Sequence, residues 1–360
     1  NYFIKEKNMK ILVINPGSTS TKLALYEDCN ELMTGSMDIS SDVLAQYKSI
    51  YDQTDMRFDQ VMDFLKVNDM EVKDLDVIVS RGGMLPPLHT GAYVVDEDLC
   101  YIMRNHPAQL HASNLGALVA KKLSDIGNIP AYIYDAVSVD EMTDEARLSG
   151  LKNYPRRSFS HALNTRAVAM KYCQDKGLDY YKSSIIVAHL GGGISMNFQK
   201  NGHLVDVISS DEGPFSTNRA GALPIYSCIT MAREEGADAM QSYEDSIGGL
   251  ISYLGTNDAR EVEAMIANGD EEAKKVYRGM AYQIARYIGS LAVVDNGKID
   301  GIVLTGGMAN SKLLTGWIEE KVAFLADISI YAGEFEMKAL AQGAYRVMKG
   351  QEEADHLKIY

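Results

Sequence analysis

Short apolar runs that end in glycine-rich turns recur along the chain. Residues 11–14 and 185–188 are two such runs, and each is followed by a polar residue, a glycine turn and a second strand-like segment, KLALYE or ISMNFQ. Apolar runs of this length between turn residues are typical of buried strands. The pattern therefore predicts two hairpins with glycine-rich bends.

Three pairs of similar segments occur in the same order in the two halves of the chain. The pairs are 11–20 (ILVINPGSTS) with 185–194 (IIVAHLGGGI), 75–84 (LDVIVSRGGM) with 299–308 (IDGIVLTGGM), and 129–136 (IPAYIYDA) with 327–334 (DISIYAGE). Ordered self-similarity indicates a duplicated structural unit. The sequence predicts two related α/β domains that face each other across a cleft. The alternative is chance recurrence of one common glycine motif, and three ordered pairs argue against it.

The repeat divides the chain into a first lobe at 9–150 and a second, nucleotide-binding lobe at 151–334. We expect Met9 to be the natural start and leave the preceding residues out of the fold. Apolar residues at spacings of three and four predict helices in NTRAVAMKYCQDKG, DAREVEAMIANG, EEAKKVYRGMAYQIARYIGSLAVV and EMKALAQGAYRVMKG. The last of these, within 335–357, is expected to pack back on the first lobe.

Charge and cysteine content narrow the class of function. Asp and Glu number 49 against 35 Lys and Arg, a net charge of -14 that argues against nucleic acid or an anionic membrane as the main partner. No apolar run reaches the roughly 18 residues of a membrane helix, and no secretory signal is recognisable. Four cysteines without close spacing make a zinc site or disulfide framework unexpected. A cytoplasmic location fits this composition.

The first glycine turn has the composition of a phosphate-binding loop. NPGSTSTK combines the backbone amide of Gly17 with hydroxyls at Ser18 and Ser20 and a cation at Lys22. It lacks the ending of a Walker A loop and leads into a strand, so the P-loop interpretation fails. A tight structural hairpin is the alternative.

Two further glycine segments fit a nucleotide site. HLGGGIS, residues 189–195, places three glycines between two strands, which allows backbone to approach a ligand closely. TGGMANS, residues 305–311, follows a buried strand, and its glycines could lie against a flat ring or ribose. A simple strand-to-helix turn is the alternative for the second segment.

These motifs together resemble the acetokinase family, from Met9 nearly to the end of the chain. That family belongs to a superfamily with sugar kinases, heat-shock ATPases and actin. The segments DEGPFSTNRAGALP and GTNDAR and the length of 360 residues are more similar to its butyrate branch than to its acetate branch. The resemblance implies a duplicated, two-domain ribonuclease-H-like (actin-like ATPase) α/β fold. It also implies ATP and Mg²⁺ as cofactors, reversible phosphorylation of butyrate, and a homodimer or larger oligomer.

Two glycine-flanked arginines suit a carboxylate acceptor. A carboxylic acid is already ionised at neutral pH and needs no general base, but its negative charge must approach a phosphate. The planar fork of arginine binds both groups. The resemblance implies that Arg81 holds the substrate carboxylate and that Arg219 stabilises the transition state. Surface salt bridges are the alternative.

The resemblance implies roles for further residues at loop positions. Asp135 is the expected catalytic acid acting with Mg²⁺, His161 steadies the moving phosphoryl group, and Asn15 and Glu334 help hold the metal. A helix N-cap is the alternative for Asp135, and a structural histidine is the alternative for His161. Nucleotide contacts are expected at Lys22, His189, Leu190, Gly191, Gly192, Gly193, Asp258, Ala259, Arg260, Gly306, Gly307, Met308, Ala309 and Asn310. Helix capping is the alternative for the charged segment at 257–260.

The expected acid pocket is wide. Acetate-type members carry bulkier side chains where this chain has Gly82, Gly83 and Ser160, and Leu110 and Pro214 match apolar pocket positions. Each additional buried methylene contributes about 0.8 kcal/mol, which favours butyrate or isobutyrate over acetate. Acetate, propionate and branched-chain acids remain alternative substrates. A sugar kinase would need an aspartate base, and a heat-shock-type nucleotide switch would need a peptide-binding domain for which no residues remain.

Overall fold

A computed structural model describes residues 8–358, and the chain divides into two compact units. Unit 1 comprises the described part of Asn1–Val139 and Phe335–Tyr360, and unit 2 is Asp140–Glu334. The sequence-based boundary at residue 150 lies later than the one after Val139. The difference has a local cause, because the Thr143 amide donates to the Val205 carbonyl and thereby ties this segment to unit 2.

Strands and helices alternate in both units. The strands are β1 Lys10–Pro16, β2 Ser20–Glu27, β3 Asn30–Asp38, β4 Val77–Arg81, β5 Ala92–Val94, β6 Ala131–Tyr134, β7 Ser184–Leu190, β8 Ile194–Lys200, β9 His203–Ile208, β10 Gly301–Gly306, β11 Ile328–Ala332 and β12 Ala354–Asp355. The helices are α1 Ser41–Leu44, α2 Thr54–Val67, α3 Glu97–Asn105, α4 Leu115–Gly127, α5 Asp144–Arg147, α6 Ala162–Lys176, α7 Ile225–Glu234, α8 Ala237–Ser242, α9 Gly249–Leu254, α10 Ala259–Ala267, α11 Glu271–Leu291, α12 Lys312–Val322 and α13 Glu336–Met348. The helices predicted from spacing correspond to α6, α10, α11 and α13.

The same five-stranded arrangement occurs in both sheets. Unit 1 has the order β12-β5-β6-β4-β1-β2-β3, and unit 2 has the order β11-β10-β7-β8-β9. In each, the first hairpin is antiparallel, and the next strand pairs parallel to its first member, as β4 does with β1 and β10 with β7. The three repeated segments fall on β1 and β7, β4 and β10, and β6 and β11. The predicted duplication is thus confirmed strand by strand.

The central strands of unit 1 are buried on both faces. Leu12 and Ile14 of β1 join the core formed with α2 and α4, while the alternating residues Ile11 and Val13 are also fully buried. Successive side chains of a strand point to opposite faces, so helices are needed on both sides. This explains why β1 reads as a continuous apolar run.

Helix α13 belongs to unit 1 although it follows the whole of unit 2 in the chain. It packs on β1, β4 and β6, with Leu340 and Ala344 buried. Gly343 permits this close approach, because a Cβ at that position would lie 2.7 Å from the ring of Tyr134. The same ring carries a hydroxyl that accepts from Arg346 and donates to Glu352. The chain after residue 334 therefore completes the first unit.

The two faces of β8 in unit 2 differ in character. Ile194, Met196 and Phe198 join the core with α11 and α12. The alternate residues Ser195, Asn197 and Gln199 are polar and equally buried. Their side chains are hydrogen-bonded, as in the bond from Asn197 Nδ2 to Thr165 Oγ1 on α6, at 2.9 Å. A buried polar row therefore runs along β8 beneath α6.

Among the helices described within residues 8–358, none combines the length and the apolar character that a membrane span requires.

Candidate active site

The first glycine turn is a tight hairpin bend in unit 1. The Gly17 amide donates to the Ser20 carbonyl at 2.8 Å, and Asn15 on β1 pairs in register with Lys22 on β2. Ser18 is exposed at the tip and Gly17 is half-buried, whereas Asn15 is buried. The bend therefore exposes Ser18 at its tip, and its role as a phosphate loop stays a prediction.

A buried arginine that sequence reasoning missed supports this turn from below. Arg57 on α2 is 1% exposed, and its guanidinium donates to the Ser20 carbonyl at 2.8 Å and to the Ser18 carbonyl at 3.4 Å. It also donates to Thr21 Oγ1 and Gln53 Oε1. Burial lowers the pKa of the Arg57 guanidinium. The chain offered one signal for it, an arginine on the apolar face of a predicted helix.

Asn15 and Arg81 converge on one carboxylate oxygen. Asn15 Nδ2 donates to Glu336 Oε2 at 2.8 Å, and Arg81 Nη1 donates to the same oxygen at 3.4 Å. Arg81 ends β4, the strand beside β1, and Glu336 begins α13. The arginine is therefore placed where it already binds a carboxylate. Glu336 was also missed by the sequence analysis, which selected the nearby Glu334.

Glu334 is the last residue of unit 2 and is exposed. It follows Gly333, which exchanges backbone hydrogen bonds with Gly306 at 3.0 and 3.2 Å. Glu334 thus lies at the end of β11 beside the glycine segment that follows β10. Its role in metal binding stays a prediction.

Asp135 lies at the carboxyl end of β6 in an uncommon backbone conformation. Its φ is +42°, in the left-handed region that side chains other than glycine rarely adopt. Its Oδ1 accepts from the Gly91 amide at 2.8 Å, and its own amide donates to the Gly91 carbonyl. The helix-cap alternative does not apply, since the next helix is capped by Thr143. A strained, buried carboxylate at a strand end is typical of a functional position.

The glycines after Arg81 are tightly packed. A Cβ at Gly82 would lie 2.5 Å from that of Ala136, and one at Gly83 would lie 2.5 Å from Asn114 Oδ1. These glycines therefore allow backbone segments to approach closely. The assignment of Gly83 to a widened acid pocket stays a prediction. Leu110, the other predicted pocket residue of unit 1, is 63% exposed, and its contribution to acid binding stays a prediction.

The second glycine loop lies in unit 2 with an arginine against it. Gly191, Gly192 and Gly193 join β7 to β8, and a Cβ at Gly193 would lie 3.2 Å from Arg219 Nε. The Ser216 hydroxyl donates to the Gly192 carbonyl and accepts from the Arg219 amide. Arg219 Nη1 also donates to Ser210 Oγ at 2.8 Å. The guanidinium is thus fixed on the glycine loop.

Two histidines stack face to face beside this loop. The rings of His161 and His189 have centroids 3.8 Å apart and planes 8° apart. His161 Nδ1 lies 2.8 Å from Ser195 Oγ, and Asn164 Nδ2 lies 3.0 Å from His189 Nδ1. His189 Nε2 is directed toward the loop, because a Cβ at Gly191 would lie 3.0 Å from it. The structure therefore brings His161 and the second glycine loop together, and phosphate binding there stays a prediction.

The remaining predicted pocket residues of unit 2 lie near these groups in the chain. Ser160 is buried, and its hydroxyl has no hydrogen-bond partner within residues 8–358. Pro214 is buried in the segment before Arg219, where Gly221 has a φ of +65° and a Cβ there would lie 2.7 Å from the Gly213 carbonyl oxygen. Their contribution to acid binding stays a prediction.

The third glycine segment adjoins the second. Gly306 ends β10 with a φ of +89°, and a Cβ there would lie 2.4 Å from the carbonyl oxygen of Leu190. Gly307 opens a 3₁₀ turn, Gly307–Asn310, with open space around its Cα. Met308 and Ala309 are buried, and Asn310 is exposed. Carboxyl ends of parallel strands form binding sites, and this edge carries two glycine loops side by side.

The charged segment before α10 behaves as a helix cap. Asp258 Oδ1 accepts from the Arg260 amide at 2.9 Å, which is the N-cap geometry. The Arg260 guanidinium folds back on the same carboxylate and lowers the pKa of Asp258 to about 2. Arg260 is otherwise 91% exposed at its side chain, and Ala259 begins the helix. The capping alternative thus describes the geometry, and adenosine binding stays a prediction.

The chain is similar to known proteins over nearly its whole length. Residues 135–330 match the acetokinase family. The chain is 43% identical over 353 residues to butyrate kinase 2 of Clostridium acetobutylicum, covering 97% of this chain and 99% of that protein. It is 44% identical over 346 residues to a probable butyrate kinase 2 of Caldanaerobacter subterraneus subsp. tengcongensis, covering 95% of this chain and 98% of that one.

The chain belongs to the acetokinase family. Solved structures of low sequence identity share the fold of this chain. Acetate kinase of Porphyromonas gingivalis matches with a TM-score of 0.76 at 19% identity over 96% of this chain and 100% of that one. A propionate kinase of Francisella tularensis matches with a TM-score of 0.75 at 19% identity over 93% of this chain and 98% of that one. The predicted fold class and family are thereby confirmed.

The residues present fit a magnesium ion carried with a nucleotide. Within the described part of the chain, no group of three or more His, Cys, Asp or Glu side chains forms a metal cluster. Mg²⁺ in phosphoryl-transfer enzymes is held by one or two carboxylates together with substrate phosphates and water. The Glu336 carboxylate, which accepts from Asn15 Nδ2, and the amide oxygen of Asn15 are the groups available for that modest requirement.

Proposed function

We propose that this acetokinase-family protein transfers the γ-phosphoryl group of ATP reversibly to the carboxylate of butyrate. A butyrate oxygen forms a bond to the γ-phosphorus, and the bond from that phosphorus to the β,γ-bridging oxygen breaks. Butyryl phosphate and ADP result. No proton is removed from the acid, because it reacts as the carboxylate.

The observation that carries this proposal is the arginine seated on a glycine loop. Arg219 lies against Gly193 and is held by Ser210 and Ser216. A guanidinium fixed beside a loop of backbone amides suits the charge that develops on a transferring phosphoryl group. His161, stacked on His189 beside the same loop, supplies a further donor to that group.

Unit 1 contributes the groups suited to the acid. Arg81 donates a hydrogen bond to a carboxylate oxygen of Glu336. This contact supports the proposal that the same guanidinium binds the carboxylate of butyrate. Asp135, Asn15 and Glu336 are the proposed carboxylate and amide groups of unit 1 for Mg²⁺, and Glu334, which ends unit 2, is a further proposed metal group. When bound with the nucleotide, Mg²⁺ neutralises phosphate charge and supports transfer. Lys22 and the Gly17 turn are proposed to contact phosphate.

A hydroxamate assay tests the proposed activity. Purified protein is incubated with ATP, Mg²⁺, butyrate and hydroxylamine, which traps the acyl phosphate. We expect Arg219→Ala and Arg81→Ala to lower kcat/KM by roughly 10³-fold, the lower range for loss of a phosphoryl-transfer arginine. Arg260→Ala is not a neutral control, since Arg260 is a proposed nucleotide contact. The exposed Arg104→Ala is the matched control. Wild-type rates in both active-site variants would contradict the proposed site.

A substrate series tests the acid. The two relatives that are 43% and 44% identical to this chain act, by their names, on butyrate. We therefore expect kcat/KM to peak at butyrate or isobutyrate across acetate, propionate, butyrate, isobutyrate and valerate. Discrimination of single methylenes is about 10- to 200-fold, so overlapping use is expected. A maximum at acetate would overturn the chain-length assignment while leaving carboxylate phosphorylation intact.

Assembly of the chain into a homodimer or larger oligomer is a separate prediction, which light scattering tests.

A further inference from the structure

Ser195 holds the His161 ring by two bonds. The Ser195 hydroxyl accepts from the backbone amide of His161 at 3.2 Å and lies 2.8 Å from its ring Nδ1. Ser195 is 1% exposed and stands on β8 directly opposite His189 on β7. Cross-strand partners present their side chains on the same face of a sheet. The cross-strand pair thus contacts the His161 imidazole twice, with His189 against its face and Ser195 at its edge.

The hydroxyl of Ser195 has a single hydrogen, and its use can be counted. One lone pair of Oγ is occupied by the His161 amide, and no other bond of this hydroxyl occurs within residues 8–358. A buried hydroxyl hydrogen needs an acceptor, and His161 Nδ1 is the acceptor at hand. A neutral imidazole that accepts at Nδ1 carries its hydrogen on Nε2.

We propose that Ser195 is a positioning residue that fixes His161 as the neutral Nε2–H tautomer, so that the ring presents a hydrogen-bond donor to the phosphoryl group. The donor role rests on the proposed function, whereas the tautomer rests on the Ser195 geometry alone. The opposite tautomer would place a hydrogen on Nδ1 and leave the serine hydrogen without an acceptor.

The stacked partner is held in a matching way. Asn164 Nδ2 can only donate, so its contact of 3.0 Å makes His189 Nδ1 an acceptor as well. The same amide nitrogen donates to Thr305 Oγ1 at 3.2 Å. Both rings of the stack therefore direct a hydrogen from Nε2, and the Nε2 of His189 lies beside Gly191. The pair behaves as two neutral donors on one glycine loop.

The tautomer can be measured directly by nitrogen NMR. Protein labelled with ¹⁵N-histidine contains seven labelled rings, and the His161 signals are assigned by their loss in His161→Gln. We expect Nδ1 of His161 to resonate in the unprotonated range and Nε2 in the protonated range. In Ser195→Ala, the two nitrogens should move toward a tautomer mixture. A protonated Nδ1 in the wild type, or an unchanged tautomer in a folded Ser195→Ala, would overturn the proposal.

Kinetics give the second readout. Ser195→Ala should lower kcat about tenfold, the equivalent of one lost hydrogen bond, while KM for ATP changes less than threefold. Ser195→Thr keeps a hydroxyl and should restore both the tautomer and most of kcat. Ser184→Ala is the matched control, since it removes a buried hydroxyl bonded to Asp295 at the far end of the same hairpin. An equal loss of kcat in Ser184→Ala would assign the effect to hairpin stability.

The two proposals fail in different ways. A wild-type protein that forms no acyl hydroxamate but shows the Nε2–H tautomer contradicts the proposed function and retains the Ser195 assignment. An active enzyme with a protonated His161 Nδ1 contradicts the Ser195 assignment alone. Variants that do not fold leave the wild-type spectrum as the deciding measurement.

Discussion

Arg57 is a buried cation that supports the first glycine turn from below. Its guanidinium donates to the carbonyls of Ser18 and Ser20 and to the buried side chains of Thr21 and Gln53. Removing it takes a donor from the buried Thr21 and Gln53 oxygens, at about 1–3 kcal/mol each. The residue therefore acts on the shape of the loop.

We expect Arg57→Ala to lower the free energy of unfolding and to raise KM for ATP about tenfold, because the turn loses its two carbonyl anchors. Urea unfolding and steady-state kinetics measure the two effects. Arg104→Ala, an exposed arginine on α3, should change neither. A folded Arg57→Ala with wild-type affinity for ATP would contradict a role in loop support.

Glu244 is a half-buried carboxyl below the Arg219 loop. Burial, together with the nearby Asp211, raises its pKa to about 7, and Arg219 opposes this shift only in part. Its Oε2 accepts from the Gly221 amide, while Oε1 is buried without a partner within residues 8–358. The folded protein therefore binds a proton here that the unfolded chain releases near its usual pKa of about 4.3.

This linkage predicts that stability falls as pH rises from about 4.5 to 7, because the folded state binds more protons than the unfolded state in that window. Glu244→Gln should match the wild type near pH 4.5 and become the more stable protein near pH 8. Urea midpoints across this range measure the difference. Glu234→Gln, an exposed change of the same charge on α7, should show no such divergence.

At the residue level, sequence reasoning found groups whose chemistry is visible in a motif. Asn15, Arg81 and Arg219 stand beside glycine turns and were identified there, whereas His161 was identified through the family resemblance. Glu336 and Ser195 were missed, because their significance depends on a partner distant in the chain. Asn15 and Glu336 are 321 residues apart, and no local pattern links them.

The glycine segments of unit 2 are elements fixed by close backbone contact. Gly306 adopts a left-handed φ and touches the carbonyl of Leu190, whereas Gly307 faces open space. The two neighbours therefore provide a matched pair in which only one glycine is required by packing.

Gly306→Ala should lower the thermal midpoint by several degrees, since an alanine at φ +89° and ψ 173° costs about 1–3 kcal/mol before the clash with Leu190 is counted. Gly307→Ala should leave the midpoint nearly unchanged. Differential scanning calorimetry without ligand measures both. Equal destabilisation by the two changes would contradict the difference in packing.

The polar row of β8 shows where an element could not be predicted in full. The alternation in ISMNFQ indicates a strand, but the same alternation occurs in strands with one face in water. Only the packing of α6 reveals that Ser195, Asn197 and Gln199 are buried. The helices and hairpins themselves were predicted correctly because their periodicity is local.

At the scale of the whole molecule, α13 links the end of the described chain to the first sheet. Its Leu340 is fully buried, and its first turn carries Glu336, which contacts Asn15 and Arg81. Unit 1 is therefore built from two segments separated in sequence by the whole of unit 2. The duplication was predictable from the repeats, whereas the first boundary was set by backbone bonds to β9.

Leu340→Ala should cost about 2–5 kcal/mol and loosen unit 1 selectively. We expect faster hydrogen exchange in β1, β4 and β6, with β7 and β10 little changed. Ile318→Ala, in the core of unit 2, should give the reverse pattern. Equal acceleration in all five strands for either variant would contradict two separately packed units.

The position of α13 also has a consequence for synthesis. During translation, Asp140–Glu334 is synthesised before α13, so the sheet of unit 1 still has an uncovered apolar face when the last residue of unit 2 is added. Domains usually mature in the order in which they are synthesised. Here unit 1 is begun first and completed last, because its strands depend on a helix that is synthesised only after the whole of unit 2.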